Sequence, residues 1–269
     1  MLKEIKKIYR TNFRLFKKLT AKYRHNPDFI IIGAQKGGTT SLFHYLSQHP
    51  QLNLPSLKEI HFYTKNYHRG LEFYKTYFPY KQKGKLSGEA TPYYLFHPQV
   101  PERLFKHFPN IKLIVMLRNP VDRAFSHYNM EKKLSNEYRT FKTAIDDELY
   151  EFENISKKIL KSNTYTTEHA HHSYLSRGLY KEQIDRWLTY FDKNQMLFIK
   201  SEDFFENPKN ELDRVFNFLK LDNTKIDDLK PKLQGNYKNL DESFYNQLAQ
   251  FFKNKNQRMS DIIGDKFTW

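Results

Sequence analysis

The stretch from Phe29 to Ser41 constrains the fold more than any other. Phe29-Ile30-Ile31-Ile32 is apolar and mostly β-branched, as in a strand buried on both faces. Gly33-Ala34-Gln35-Lys36-Gly37-Gly38-Thr39-Thr40-Ser41 follows, with three glycines and one lysine inside six positions. Leu42, Tyr45 and Leu46 then recur at helical spacing. A strand, a Gly-rich turn and a helix N-terminus in that order make an anion cradle. Backbone N–H groups point at the ligand, the helix dipole favours negative charge, and glycines permit close approach. The expected ligand carries a phosphate-like group.

The general template for such a turn is G-x-x-x-x-G-K-[ST]. Gly33 and Gly38 match its glycines and Thr40 its hydroxyl, but Thr39 stands where the lysine belongs and Lys36 lies inside the loop. A nucleoside triphosphatase also needs a carboxylate at the end of a neighbouring strand to help hold Mg²⁺. The best candidate strand, Lys112 to Leu117, ends in Arg118. A cation in that place favours direct, metal-free binding of an anion over a kinase or ATPase.

The strand at Lys112 to Leu117 opens a second unit of the same kind. Arg118-Asn119-Pro120 forms its turn, Pro120 suits an early helical position, and a helix to about Lys133 aligns Asp122, Ser126 and Met130 at i, i+4 spacing. Further strands are expected at Gln51 to Leu54, Lys85 to Glu89 and Met196 to Ile199. Helices are expected at Thr39 to Gln48, Gly70 to Phe78, around Val100 to Phe108, over Phe141 to Lys161, and around Trp187, Leu212 and Phe244 to Lys253. This alternation predicts an α/β fold, a P-loop-like parallel β-sheet with helices on both faces. In such sheets ligands bind at the carboxyl ends of the strands, where the two turns would face each other.

Charge and composition narrow the function class. The formal net charge is +15, which fits a lysine-rich surface, an acidic ligand or nucleic acid. The lysines are scattered and no nucleic-acid-reading motif appears, so nucleic acid ranks last. The chain has no cysteine, which excludes disulfides, thiol catalysis and cysteine-ligated metal and fits a cytoplasmic location. No apolar run has transmembrane length and no leader pattern is present. Residues 1–26 read as a basic N-terminal helical extension, packed on the domain or lying peripherally on an anionic membrane; residues 27–269 read as one domain. Ser162 to Ser173, with His169, His171 and His172, reads as a flexible loop, and metal is not expected there for want of a partner carboxylate.

Taken together, these motifs resemble sulfotransferases that use 3′-phosphoadenosine 5′-phosphosulfate, and the bacterial and heparan-sulfate-type branch in particular. The resemblance rests on Gln35-Lys36-Gly37-Gly38-Thr39-Thr40-Ser41-Leu42, on Lys58-Glu59-Ile60-His61-Phe62-Tyr63 and on Leu117-Arg118-Asn119-Pro120-Val121-Asp122-Arg123-Ala124-Phe125-Ser126. Arg177-Gly178-Leu179-Tyr180 and the ending from Phe251 to Trp269 also fit. The first and third motifs together are specific; each alone is weak.

The resemblance implies that Lys36, Gly37, Gly38, Thr39, Thr40 and Ser41 hold the 5′-phosphosulfate, with Lys36 also catalytic at the departing bridging oxygen. It implies that Arg118 and Ser126 bind the 3′-phosphate, and that a late loop around Gly235 completes the nucleotide site. None of these roles requires a metal. It makes Glu59 the general base; the residues themselves leave Glu59, His61 and Glu89 open as candidates. His61, Glu89 and Arg177 are further candidates for substrate contact. The acceptor would be a hydroxyl or amine on a small molecule, lipid or glycan. The competing classes are a P-loop kinase, expected to need Mg²⁺ and ATP, and a non-enzymatic basic module that binds polyanions.

Overall fold

The computed structural model describes residues 19–150, 166–231, 240–264, 267 and 269. Four strands form one sheet: β1 (Phe29–Gly33), β2 (Gly88–Ala90), β3 (Lys112–Leu117) and β4 (Met196–Lys200). All are parallel and the order is β2-β1-β3-β4. The register pairs Ile30 with Glu89, Ile31 with Ile114 and Leu117 with Lys200. The chain leaves β1 towards β2 and returns to the other side of β1 at β3. The strand order therefore reverses between β1 and β3, which is where a parallel sheet opens a crevice for ligands.

Around the sheet run α1 (Thr39–Leu46), α2 (Leu71–Lys75), α3 (Val100–His107), α4 (Pro120–Lys133), α5 (the helical residues 141–150), α6 (Thr167–His171), α7 (Tyr180–Leu188), α8 (Ser201–Glu206), α9 (Pro208–Leu219), α10 (Glu242–Lys255) and α11 (Met259–Ile263). The α/β fold expected from the strand–helix alternation is the one observed. Its physical basis is a sheet covered on both faces. Ile30, Ile32, Leu113, Val115 and Leu117 pack with Tyr94, Ile184 and Trp187 on one side. Phe29, Ile31, Ile114 and Met116 pack with Leu42, Leu46, Phe204 and Phe216 on the other. Successive strand residues alternate between two cores, so the strands read as unbroken apolar runs.

Four local expectations differ from what is observed. Gln51 to Leu54 is not a strand; Leu52 alone makes a bridge, to Leu86. β2 starts at Gly88 rather than Lys85, because only Gly88 to Ala90 pair with β1. The amphipathic Gly70 to Phe78 stretch gives the short α2, whose aromatic ring Tyr74 stacks on Phe62 at 4.6 Å. Ser162 to Ser173 is no loop from Thr166 onward: the Thr166 side chain caps α6 by accepting from His169 N–H, and His169 is buried against the Tyr93 hydroxyl. A capping threonine and a buried histidine ordered a segment whose composition alone reads as polar coil.

The expected long helix from Phe141 is seen as α5; residues 151–161 lie outside the described residues, as do 1–18 of the basic extension. From Ala21 the extension is packed: Arg24 donates to the Phe78 carbonyl at 2.7 Å and lies over the Tyr80 ring. Among the described residues no helix is long and apolar enough to cross a membrane.

Candidate functional site

The ends of β1, β3 and β4 open into one cleft of about 720 Å³. Its floor is the loop between β1 and α1. Gly37 packs so tightly that a Cβ there would meet the Met116 carbonyl at 2.8 Å and the Ala34 carbonyl at 3.0 Å. Gly38 takes φ 93° as the N-cap of α1, a left-handed value that favours glycine, and has no side chain to cap the helix. The first-turn N–H groups of α1 therefore have no side-chain cap. Gly38, Thr39 and Thr40 line the cleft, whereas Ser41 is fully buried next to Tyr45.

Lys36 also lines the cleft, held in the left-handed region at φ 70°. Burial and the nearby Arg118 and Arg123 guanidinium groups lower its pKa, while Glu131 and Glu59 pull the other way. The loop is pinned residue by residue. Arg177 Nη1 donates to Gln35 Oε1, Arg118 Nη1 to the Lys36 carbonyl at 3.5 Å, and Ser201 Oγ to the Gly37 carbonyl at 2.7 Å.

The second turn follows β3. Asn119 caps α4, its Oδ1 accepting from Val121 N–H at 3.0 Å and Asp122 N–H at 3.3 Å. Arg118 stands at the mouth of this turn, and Asp122, Ser126 and Met130 form the cleft wall as their spacing requires. Arg123, in the same motif, is fully buried and donates to the Tyr174 carbonyl. Burial pushes its pKa down to about 10.

Opposite α4 in sequence, the segment before the π turn Phe62–Asn66 supplies Lys58, Glu59 and His61 to the cleft. Glu59 N–H donates to the Ala90 carbonyl at 2.9 Å, which fixes Glu59 beside the end of β2. Its carboxylate meets Lys58 Nζ at 2.8 Å and His61 Nε2 at 3.5 Å. Partial desolvation pushes the Glu59 pKa up, but the His61 and Lys58 partners outweigh it and hold the pKa at about 2. Glu89 sits elsewhere. It is fully buried, accepts from the Tyr74 hydroxyl at 2.7 Å and from Thr91 Oγ1 at 2.6 Å, and does not line the cleft. Burial raises its pKa.

Arg177 lines the cleft from a 3-10 turn (Ser176–Gly178) yet is 2% exposed. The three histidines of the 162–173 segment part company: His169 Nδ1 meets the Tyr93 hydroxyl at 2.6 Å, His171 Nδ1 meets Glu131 at 3.3 Å, and His172 Nε2 meets the Asn136 carbonyl at 3.1 Å. Gly235 lies outside the described residues. Residues that the sequence reading missed include Gln35, Ser201 and Glu131. Ser201 was findable, since it follows the end of a third parallel strand at the same edge of the sheet.

Comparison with known proteins bears on the family and the fold. The family model described as the sulfotransferase domain matches residues 26–263. The chain is 27% identical to the membrane-associated sulfotransferase kil1 of Dictyostelium discoideum over 90% of its own length and 66% of that protein. It is 33% identical to mouse heparan sulfate glucosamine 3-O-sulfotransferase 3B1 over 72% of its length and 46% of that protein. The chain thus spans about half to two-thirds of these curated relatives. A crystal structure of a sulfotransferase from Alicyclobacillus acidocaldarius superposes with a TM-score of 0.74 at 27% identity, covering 90% of this chain and 97% of that one.

Proposed function

The chain belongs to the sulfotransferase family, and on that premise we propose that it transfers a sulfuryl group from 3′-phosphoadenosine 5′-phosphosulfate to an acceptor hydroxyl or amine. The observation that carries the proposal is the convergence in one cleft of the Lys36 loop, the Arg118–Ser126 turn and the Glu59–His61 pair. When bound, the nucleotide supplies a sulfuryl group activated by a phosphate leaving group.

This chain's residues fit that ligand. The glycines and the uncapped N-terminus of α1 receive the 5′ end, and the Lys36 ammonium neutralises negative charge there. Arg118 and Ser126 hold the 3′-phosphate by charge-assisted and hydroxyl hydrogen bonds. Glu59, ionised across the neutral range, takes the acceptor proton, with His61 and Lys58 setting its orientation. Arginine at the end of β3, where a metal-binding acid would serve a kinase, favours this reading over nucleoside triphosphate chemistry.

For the acceptor we favour a glycan. Relatives are named for glucosamine 3-O-sulfation of heparan sulfate, and Lys58 and Lys65 on the cleft wall suit an anionic chain. The basic N-terminal stretch and the membrane-associated relative support peripheral contact with anionic lipid. The decisive experiment combines nucleotide binding with labelled-sulfate transfer to glycan, lipid and small-molecule acceptors. Binding of 3′-phosphoadenosine 5′-phosphate without Mg²⁺ and transfer to a glycan are expected. Failure to bind that nucleotide would sink the proposal; transfer to a lipid or small molecule alone would overturn the glycan assignment.

A further inference from the structure

Lys36 holds a backbone conformation that a non-glycine residue adopts only when its surroundings impose it. Three distant side chains hydrogen-bond to the loop at and beside it, those of Arg177, Arg118 and Ser201, and Arg177 makes the most contacts of its own. Its guanidinium lies 4.8 Å from the Tyr93 ring centroid and 5.2 Å from that of Phe96. Nη2 donates to the Ala170 carbonyl at 2.6 Å, and Nη1 donates to Gln35 Oε1. Gln35 and Arg177 are 142 positions apart in sequence, and Gln35 is the residue immediately before Lys36. A planar fork with separate donors can grip a side-chain amide and a backbone carbonyl at once while lying on aromatic rings; a lysine ammonium cannot do all three.

We propose that Arg177 is a positioning residue, which acts through Gln35 to hold Lys36 aimed into the cleft and ties that aim to α6, the wall that carries His171. In this role Arg177 acts from the cleft lining, through its contacts with Gln35 and the Ala170 carbonyl. The inference rests on the sulfuryl-transfer reading only in its kinetic readout.

The test uses Gln35→Ala, Arg177→Lys and the double variant of the full chain. Gln35→Ala leaves Arg177 its Ala170 carbonyl and both rings, so it keeps the fold even if Arg177→Lys does not. The first readout needs no substrate: the pH dependence of Lys36 acylation by acetic anhydride, followed by peptide mass. The charged groups bearing on Lys36 are Arg118, Arg123, Glu131 and Glu59, all intact in these variants. Released from its grip, Lys36 gains solvent and its apparent pKa rises towards the ordinary lysine value. The second readout is steady-state transfer, where kcat should fall at least about tenfold while the dissociation constant for 3′-phosphoadenosine 5′-phosphate changes by less than about threefold. The double variant should be no worse than Arg177→Lys alone.

An unmoved Lys36 titration in folded Gln35→Ala overturns the proposal. So does an additive double variant, or a loss confined to nucleotide affinity. Should the wild-type chain fail to bind the nucleotide, the sulfuryl-transfer reading falls, and the acylation result still decides the role of Arg177.

Discussion

The two strand–turn–helix units share a topology and differ in how they present positive charge. After β1, the helix begins at Gly38 with no side-chain cap, so the backbone itself is the donor and the glycines admit the ligand. After β3, the helix begins at Asn119, whose side chain already occupies the Val121 and Asp122 N–H groups. An anion there must be met by side chains, and Arg118 and Ser126 line the cleft at that point. The first turn makes a fixed dipole field with one held charge, Lys36. The second makes a stable helix start with a strong but replaceable cation. A fixed field suits a group whose charge changes during transfer; a point cation suits a group that is only held.

Lys36→Ala should have the largest effect. Its expected loss is about 10³-fold in transfer rate with the nucleotide still bound, read by labelled-sulfate transfer alongside calorimetry. Equal losses in rate and affinity would show that the first turn only binds, which would erase the contrast between the turns.

Glu59→Gln should lower the rate by about 10²-fold with little change in nucleotide affinity. Because the folded pKa is held at about 2, below the ordinary carboxylate value, the carboxylate persists as pH falls through the range of about 4 to 6 where a free glutamate would be protonating. The acid limb of the wild-type profile should therefore not fall in that range. Lys58→Met removes one of the groups holding the pKa down and should move an acid limb towards it. A wild-type limb centred near 4.5 would contradict the ion-paired Glu59 seen beside Lys58.

Arg118→Ala should weaken binding of 3′-phosphoadenosine 5′-phosphate by about 10- to 100-fold, the worth of a charge-assisted contact of about 1.5–3 kcal/mol. Affinity for adenosine 5′-phosphosulfate, which lacks the 3′-phosphate, should change far less. Similar losses for both nucleotides would place Arg118 with the first turn instead of the second.

The smallest effect is expected at Asn119. Replacement by Ala should cost about 1 kcal/mol of stability, seen by denaturant unfolding, through loss of the α4 cap. Nucleotide affinity should stay within about threefold. A large affinity loss would mean that the capped turn contributes backbone donors after all.

Much of this was legible in local pattern. β3 and α4 begin and end where apolar runs, Arg118 and Pro120 indicated, and the i, i+4 spacing put Asp122, Ser126 and Met130 on one wall. Strands buried on both faces announce themselves by unbroken apolar runs, which is why the sheet was readable. Glu89 shows the limit. A carboxylate at a strand end near a cleft reads as functional, yet Tyr74 and Thr91 take it into the core. The 162–173 segment shows another: its polar composition hides a capped helix with a buried histidine.

The sequence by itself determined the two anion-receiving turns, because glycine freedom, helix starts and apolar periodicity act over a few residues. Only the tertiary structure decided which distant side chains hold those turns: Arg177 on Gln35, Ser201 on Gly37, and Glu202 accepting from the Asn119 N–H at 2.8 Å. Such pairings depend on where separate elements dock on the sheet. Local propensity carries no record of that; it is fixed when the two cores close and each buried polar group must find a partner.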